Sequence, residues 1–425
     1  MPWPSGPGTT WTSSQPSSPH WSRICFVTCT MSGTVAYSHL VMGQTLVGAD
    51  RVGPSRAGPL RTLPHVTPAT PRSRRARPAE AGERAPSDFE GVRLHVVTGK
   101  GGTGKTTVAA ALALALADQG KRTLLCEVED RQGIAQLFDV PPLPYGERSV
   151  AVGPWGGQVD ALAVEPQAAL MEYLELFYKL GRAGRLLDKT GAIDFATTIA
   201  PGLRDVLLTG KVYEAVGRTQ RPKGRGTRPV PVYDSVVLDA PPTGRISRFL
   251  NVNTEVSGLA RVGPIHNQAA SIMRMMQSTA TVVHVVTLLE EMPVQETLDA
   301  VEELTAARLR VGGIIVNQVR NGVLTARALT LAGKGKLDAD AVGAGLVEAG
   351  LVKPGDTSTP RAKAMVSGLL SEAAAHSRRL ALQRRERAEL DTAGPGVYEL
   401  AYLPGGVDLG GLYSVAGQMR DQGLA

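Results

Sequence analysis

The sequence predicts an α/β fold: a mostly parallel sheet with helices on both faces, plus an inserted helical subdomain. Three observations predict it. Short, nearly continuous apolar runs such as Tyr233–Leu238, Thr281–Leu288 and Val311–Val319 alternate with helical stretches, the pattern of strands buried on both faces. A glycine-rich turn at residues 99–104 joins the first such run to a helix. The chain has 425 residues, 43% hydrophobic and 20% charged, enough for one large or two ordinary globular domains.

Residues 1–89 stand apart. They are rich in Pro, Ser, Thr, Gly and Arg and show no sustained helical or strand period. They are expected to be a disordered extension, or sequence upstream of the true start codon. Residues 90–425 are expected to form the folded domain. Arg93–Thr98 reads as its first strand and Thr107–Asp118 as a helix, apolar nearly all round and closed by Gly120. Arg122–Val128 and Val159–Val164 are the next strands, with a proline loop at 141–144 between them. Gln167–Leu180 carries Leu170, Leu174, Phe177 and Leu180 on one stripe, which fits either the core or a greasy surface for a client. A second helix spans Pro201–Val216, and the basic stretch Gly217–Val230 reads as an exposed loop. Tyr233–Leu238 is a strand ending on Asp239, and a helix is expected from near Arg245. Residues 255–277 read as helical with a break at Gly263-Pro264, and their Ile272, Met273, Met275 and Met276 suit a core or a deformable surface. The strand Thr281–Leu288, the helix Val294–Arg308 and the strand Val311–Val319 follow. A helix-rich stretch, 325–392, precedes the last strand, Val397–Leu403, and a short closing helix. Helical insertions are thus placed at about 166–218 and 325–392.

The chemistry is concentrated in Gly99-Lys100-Gly101-Gly102-Thr103-Gly104-Lys105-Thr106-Thr107. It satisfies G-x-x-x-x-G-K-[ST], the phosphate-binding loop pattern, in its required strand–loop–helix context. Glycines let backbone N–H groups converge on a phosphate, and the following helix aims its positive end at the same charge. Lys105 is placed to reach the β- and γ-phosphates and Thr106 to hold Mg2+. Lys100 is an additional cation. It is either a solvated charge or a second neutraliser of phosphate, in its own site or a facing subunit's. Asp239, closing an apolar strand, has the Walker B arrangement, in which the carboxylate lands beside Mg2+. Together these features predict a P-loop NTPase domain.

Composition excludes other classes. The net charge is +7, but residues 1–90 carry nine Arg/Lys against five acids, leaving only +3 for the remainder. No basic face for nucleic acid is expected. The three cysteines, Cys25, Cys29 and Cys126, form no disulfide framework or zinc pattern. No apolar run is long enough to span a membrane, and Ile24–Val47 is a poor signal peptide. The chain is therefore expected to be cytoplasmic, without stable membrane insertion.

Residues 99–107 resemble the deviant Walker A of the SIMIBI class of P-loop ATPases. Asp239-Ala-Pro-Pro-Thr-Gly-Arg-Ile-Ser-Arg-Phe-Leu250 resembles the switch II signature of the arsenite-efflux (ArsA) ATPases and the related tail-anchored-protein targeting ATPases. The resemblance covers roughly residues 91–420 and implies ATP and Mg2+ as ligands. It implies phosphate binding by Gly99, Gly101, Gly102, Thr103, Gly104, Lys105, Thr106 and Thr107, with Thr106 and Asp239 serving Mg2+, Asp239 through water. It further implies a Lys100 that reaches across a dimer to the partner's ATP, an Asn317 that recognises adenine, and a loop at Pro404 that lines the base. Glu129 falls where the family has the Asp that positions the attacking water, and Arg245 replaces the switch II His. The C-x-x-C that joins some targeting-ATPase dimers through zinc and the metalloid-binding cysteines are both absent, so arsenite pumping is not expected.

Three functions follow from the sequence. The first is a dimeric Mg2+-dependent ATPase, a homodimer or a heterodimer with a related ATPase, that binds and releases a hydrophobic protein client. The second is a nucleotide-dependent interaction subunit that hydrolyses slowly or not at all and pairs with a related ATPase. The third is a ParA/MinD-like positioning ATPase, which the missing basic face and weak terminal helix disfavour.

Overall fold

The structure, a computed structural model, describes residues 88–118, 120–129, 131–178, 201–221, 228–250 and 264–425. Among these, the strands are β1 (Leu94–Gly99), β2 (Arg122–Glu127), β3 (Arg148–Val152), β4 (Gln158–Ala163), β5 (Thr219–Gln220), β6 (Val230–Pro231), β7 (Ser235–Asp239), β8 (Thr281–Thr287), β9 (Val311–Val319) and β10 (Gly396–Ala401). Eight of them form one sheet in the order β10-β9-β8-β1-β7-β2-β4-β3. Every neighbouring pair is parallel except β3 with β4. The remaining two, β5 and β6, make a short antiparallel ladder inside the predicted basic loop, whose residues 222–227 lie outside the described residues.

The helices are α1 (Lys105–Leu116), α2 (Gly133–Leu137), α3 (Pro166–Tyr178), α4 (Pro201–Gly217), α5 (Thr243–Leu250), α6 (Pro264–Met276), α7 (Glu291–Ala306), α8 (Ala326–Gly333), α9 (Ala339–Glu348), α10 (Pro360–Leu390) and α11 (Leu409–Asp421). Alternation along each strand feeds two cores. Leu94 and Val96 of β1 join Leu124, Val236 and Ile246 on one face, while Val97 joins Leu125, Val237 and residues 108–116 of α1 on the other. This explains why α1 is apolar all round: it is wedged between the sheet and α11. The alanine and leucine run of α1 supplies helix propensity without polar groups to satisfy.

Three features differ from the sequence reading. The first helix begins at Lys105, two residues before the expected Thr107, because Gly104 in a left-handed conformation (φ 88°) ends the loop there. The short α2 and the edge strand β3 were not predicted; five residues each is too short for a period to show. Among the described residues, the apolar faces that fitted either the core or a client face the core. Leu170, Tyr173 and Leu207 form a small cluster of their own, and Val206, Leu208, Val212, Ile272, Met273 and Met276 enter the main core. The predicted stripe residues Leu174, Phe177 and Leu180, and the stretches 179–200 and 251–263, lie outside what is described at side-chain level.

One polar pair sits inside the sheet. His95 of β1 and His284 of β8 stack with ring centroids 5.4 Å apart and a 3.1 Å contact between Nδ1 and Nε2. Phe89 meets both rings edge-on, and both histidines are fully buried. Burial drives the His95 imidazole down to about 3 and His284 well below its ordinary range. The Arg310 charge acts in the same direction on both.

Candidate nucleotide site

All the predicted site residues lie at or just beyond the C-terminal ends of parallel strands, where open α/β sheets bind ligands. Gly99 ends β1, Glu127 ends β2, Asp239 ends β7, Asn317 is near the end of β9, and Pro404 follows β10. The central strand β1 lies between β7 and β8, and register pairs Val97 with Asp239 and Gly99 with Val286.

The loop is shaped by close approach. A Cβ on Gly99 would stand 2.1 Å from the carbonyl oxygen of Val286, so only glycine fits there. A Cβ on Gly104 would stand 2.4 Å from Asn317 Nδ2. The Thr103 amide and hydroxyl both donate to the Lys100 carbonyl, at 3.3 and 2.9 Å, closing the turn. Gly101 and Gly102 remain exposed at its crest, and Thr106 and Thr107 are half-buried in the first turn of α1. That turn holds no acidic residue to compete with an incoming anion.

Lys105 is buried at the base of the loop. Burial pulls its ammonium below the ordinary lysine value, against the opposing pull of Asp239 and Glu129. Thr106 Oγ1 donates to Asp239 Oδ2 at 2.6 Å. Asp239 is itself buried, which pushes its carboxyl up to about 7 despite the Thr106 hydrogen bond and Lys105; Glu127 and Glu129 push it further the same way. Its other oxygen, Oδ1, is buried without a hydrogen-bond partner. A hydroxyl beside a carboxylate with one unsatisfied oxygen is a hard-oxygen donor set that fits Mg2+, which takes one or two protein ligands and fills the rest of its shell with water and phosphate.

The stretch beyond β2 brings Glu129 to the same edge. Its side chain is about a quarter exposed and pairs with Arg131 at 3.7 Å. With Arg131, Arg204, Asp205, Pro241, Arg245 and Phe249 it lines a cavity of about 220 Å3. Arg245, the substitute for the family's His, reaches Asp205 at 3.8 Å. Two residues that sequence reasoning did not single out shape the site. Glu127, buried beside Asp239, accepts from the amides of Gly133 at 2.9 Å and Ile134 at 3.4 Å, fixing the turn that carries Glu129. Glu296 of α7 accepts a hydrogen bond from Lys100. Position in the sequence signals neither role, although Glu127 is the acid that closes its strand as Asp239 closes β7.

The expected base-binding residues occupy neighbouring strand ends. Asn317 donates through Nδ2 to the Thr103 carbonyl at 2.9 Å and accepts from the Gln318 amide, so it braces the phosphate loop. Pro404 is exposed on the turn after β10. That turn is tied back by Tyr402 N to Val319 O at 2.9 Å, and Arg320 stacks on the Tyr402 ring at 4.0 Å.

A parallel sheet with this loop at the end of its central strand, and an aspartate closing the strand beside it, defines a P-loop ATPase. The comparisons narrow the class. The family profile described as Anion-transporting ATPase, ArsA type, matches residues 92–283. ATPase BagA of Mycobacterium tuberculosis is 51% identical over 339 residues, covering 80% of this chain and 96% of that protein. A putative arsenical pump-driving ATPase of Prosthecochloris vibrioformis is 29% identical over 176 residues, 39% of this chain and 37% of its own. ATPase GET3 of Rhodotorula glutinis is 25% identical over 265 residues, 55% of this chain and 71% of its own. The chain belongs to the ArsA ATPase family and is an ATP-hydrolysing enzyme.

Proposed function

We propose that the chain is a Mg2+-dependent, dimeric ATPase that couples ATP binding and hydrolysis to the binding and release of a protein partner or client. The observation that carries the metal dependence is the Thr106–Asp239 contact with the unsatisfied Asp239 Oδ1. Thr106 and Asp239 would hold the Mg2+, which would supply positive charge to offset that developing on the transferred phosphoryl group. The backbone of residues 99–104 and the α1 N-terminus cradle the phosphates, and Lys105 contributes a fixed positive charge from a buried position. Glu129 orients the attacking water from the edge of the cavity. Its carboxylate lines the cavity with Arg131, Arg204 and Arg245, and one methylene of extra length lets it reach from the β2 turn held by Glu127. Asn317 and the turn at Pro404 flank the base.

Dimerisation rests on Lys100, a partly exposed cation on the phosphate loop. It is suited to a phosphate in a facing subunit. Coupling to a partner follows from α5, which begins at the nucleotide and packs on α4 and α7, so loss of the γ-phosphate moves elements remote from it. Arsenite is not the cargo proposed. Cys126 is fully buried, and burial pushes its thiol up to about 12, so it offers no thiolate.

Turnover and solution mass, measured together with and without Mg2+-ATP, test this reading. Hydrolysis abolished by EDTA, a doubling of mass with nucleotide, and a Thr106→Ala variant needing at least about tenfold more Mg2+ are expected. Metal-independent turnover, or a monomer under all conditions, would refute it.

A further inference from the structure

Lys100 does not stand free in this chain. Its Nζ donates to Glu296 Oε1, on the second turn of α7. The other oxygen of the same carboxylate, Oε2, accepts from Thr243 Oγ1 at 3.5 Å. Thr243 is buried and is the first residue of α5, the helix that opens switch II. One carboxylate therefore joins the phosphate loop to switch II. The two charged side chains remain 31% and 36% exposed, so the pair can open without stranding a charge in a dry core. This contrasts with Lys105, which is buried against Asp239 and has no such freedom.

We infer that Glu296 is a positioning residue. It holds Lys100 back in the nucleotide-free chain and gives it up to the facing subunit's triphosphate when ATP binds and the dimer closes. The inference rests on the reading of Lys100 as a phosphate ligand. A triphosphate carries more charge than one carboxylate and outcompetes it, but the carboxylate sets a toll on nucleotide affinity. As Lys100 leaves, Thr243 becomes the donor facing the carboxylate's uncompensated charge, and the 3.5 Å contact shortens. Exchange of one cation between two anions thus ties occupancy of the facing subunit's loop to the first turn of α5.

The test is equilibrium binding of a non-hydrolysable ATP analogue with Mg2+ to the full chain, compared across Glu296→Gln, Lys100→Ala and the double variant. Glu296→Gln keeps an acceptor for Thr243 and removes the charge that competes for Lys100. It is expected to bind the analogue about three- to fivefold more tightly, the range that a half-exposed ion pair can withhold. The gain is expected to vanish in the Lys100→Ala background. A purely structural role for Glu296 would weaken binding or leave it unchanged. Glu296→Ala, at a partly exposed position, is the second variant should the glutamine variant fold poorly, with the same direction expected. Unchanged or weaker binding in variants that melt with the parent, or a gain that persists without Lys100, overturns the inference. A Lys100→Ala variant with parental affinity and turnover overturns instead the phosphate role of Lys100 on which it rests.

Discussion

Replacing Glu127 by alanine should damage both stability and turnover, although Glu127 touches no predicted ligand. Its carboxylate is 3% exposed and accepts from two amides at the start of α2, one at 2.9 Å and one at a long 3.4 Å. Hydrogen bonds to a charged group contribute about 1.5–3 kcal/mol each, and a long one less, so the pair contributes about 2–4 kcal/mol. Removing a negative charge next to the buried Asp239 returns on the order of 1 kcal/mol. The net expectation is about 1–3 kcal/mol of lost stability, read as a lower midpoint in urea unfolding followed by circular dichroism. Glu127→Gln keeps one acceptor and should lose about half as much. Turnover reports the second consequence. The turn that carries Glu129 loses its anchor, and a displacement near 1 Å costs about a hundredfold in rate. A Glu127→Ala protein with the parental urea midpoint and a kcat within about twofold of the parent's would refute the reasoning, since those amides would then owe nothing to the carboxylate.

Other perturbations read the site and the sheet separately. Glu129→Gln should cut turnover about 10²–10³-fold while nucleotide affinity, measured by titration, stays within about threefold. Gly104→Ala places a methyl against Asn317 and adds left-handed strain of about 1–2 kcal/mol, so nucleotide affinity should fall at least about tenfold. Part of that loss should return in a Gly104→Ala/Asn317→Ala protein, as titration with ADP would show. The buried His95 and His284 are held neutral in the fold, while in the unfolded chain they protonate near their ordinary value of 6.5. Their contribution is therefore complete above about pH 6.5 and is lost progressively as the pH falls toward the depressed folded value, at up to about 1.4 kcal/mol per pH unit for each ring. His95→Leu should flatten the acid side of a stability–pH curve by one ring's share, and an unchanged slope would show that the pair does not titrate on unfolding.

The central strands and the phosphate loop were legible because their signals are local. Glycines, a lysine and a threonine at fixed spacing, flanked by an apolar run and a helix, need no knowledge of what packs on them. Strands β8 and β9 were readable for the same reason, since valine and isoleucine runs buried on both faces leave little ambiguity. Lys100 could be identified as unusual from its place in the loop, but its carboxylate partner could not, because Glu296 lies 196 residues away on an otherwise ordinary acidic helix. Glu127 was hidden differently. It sits two residues before the acid that aligned with the family's water-positioning aspartate, and only the fold shows that it turns inward to the α2 amides. Asn317, expected at the base, also braces the loop, a contact set by the close approach of β9 to Gly104. The edge strand β3 owes its existence to a neighbour with a free edge, which no short window of sequence reports.

The hydroxyl of Thr98, fully buried, donates to the carbonyl of Pro241 at 2.7 Å. This bond fastens the start of switch II to the strand that carries the phosphate loop, where the accepting Pro241 and the Pro242 after it stiffen the chain. Any tilt of α5 would therefore pivot at this bond. The helix is eight residues long, a rod of about 12 Å, so a tilt of about 10° at its nucleotide end displaces the far end by about 2 Å. That far end carries Phe249 and Leu250, both locked in the core beside α4. The domain thus contains a short crank whose fulcrum is a threonine hydroxyl and whose handle is the first turn of α5.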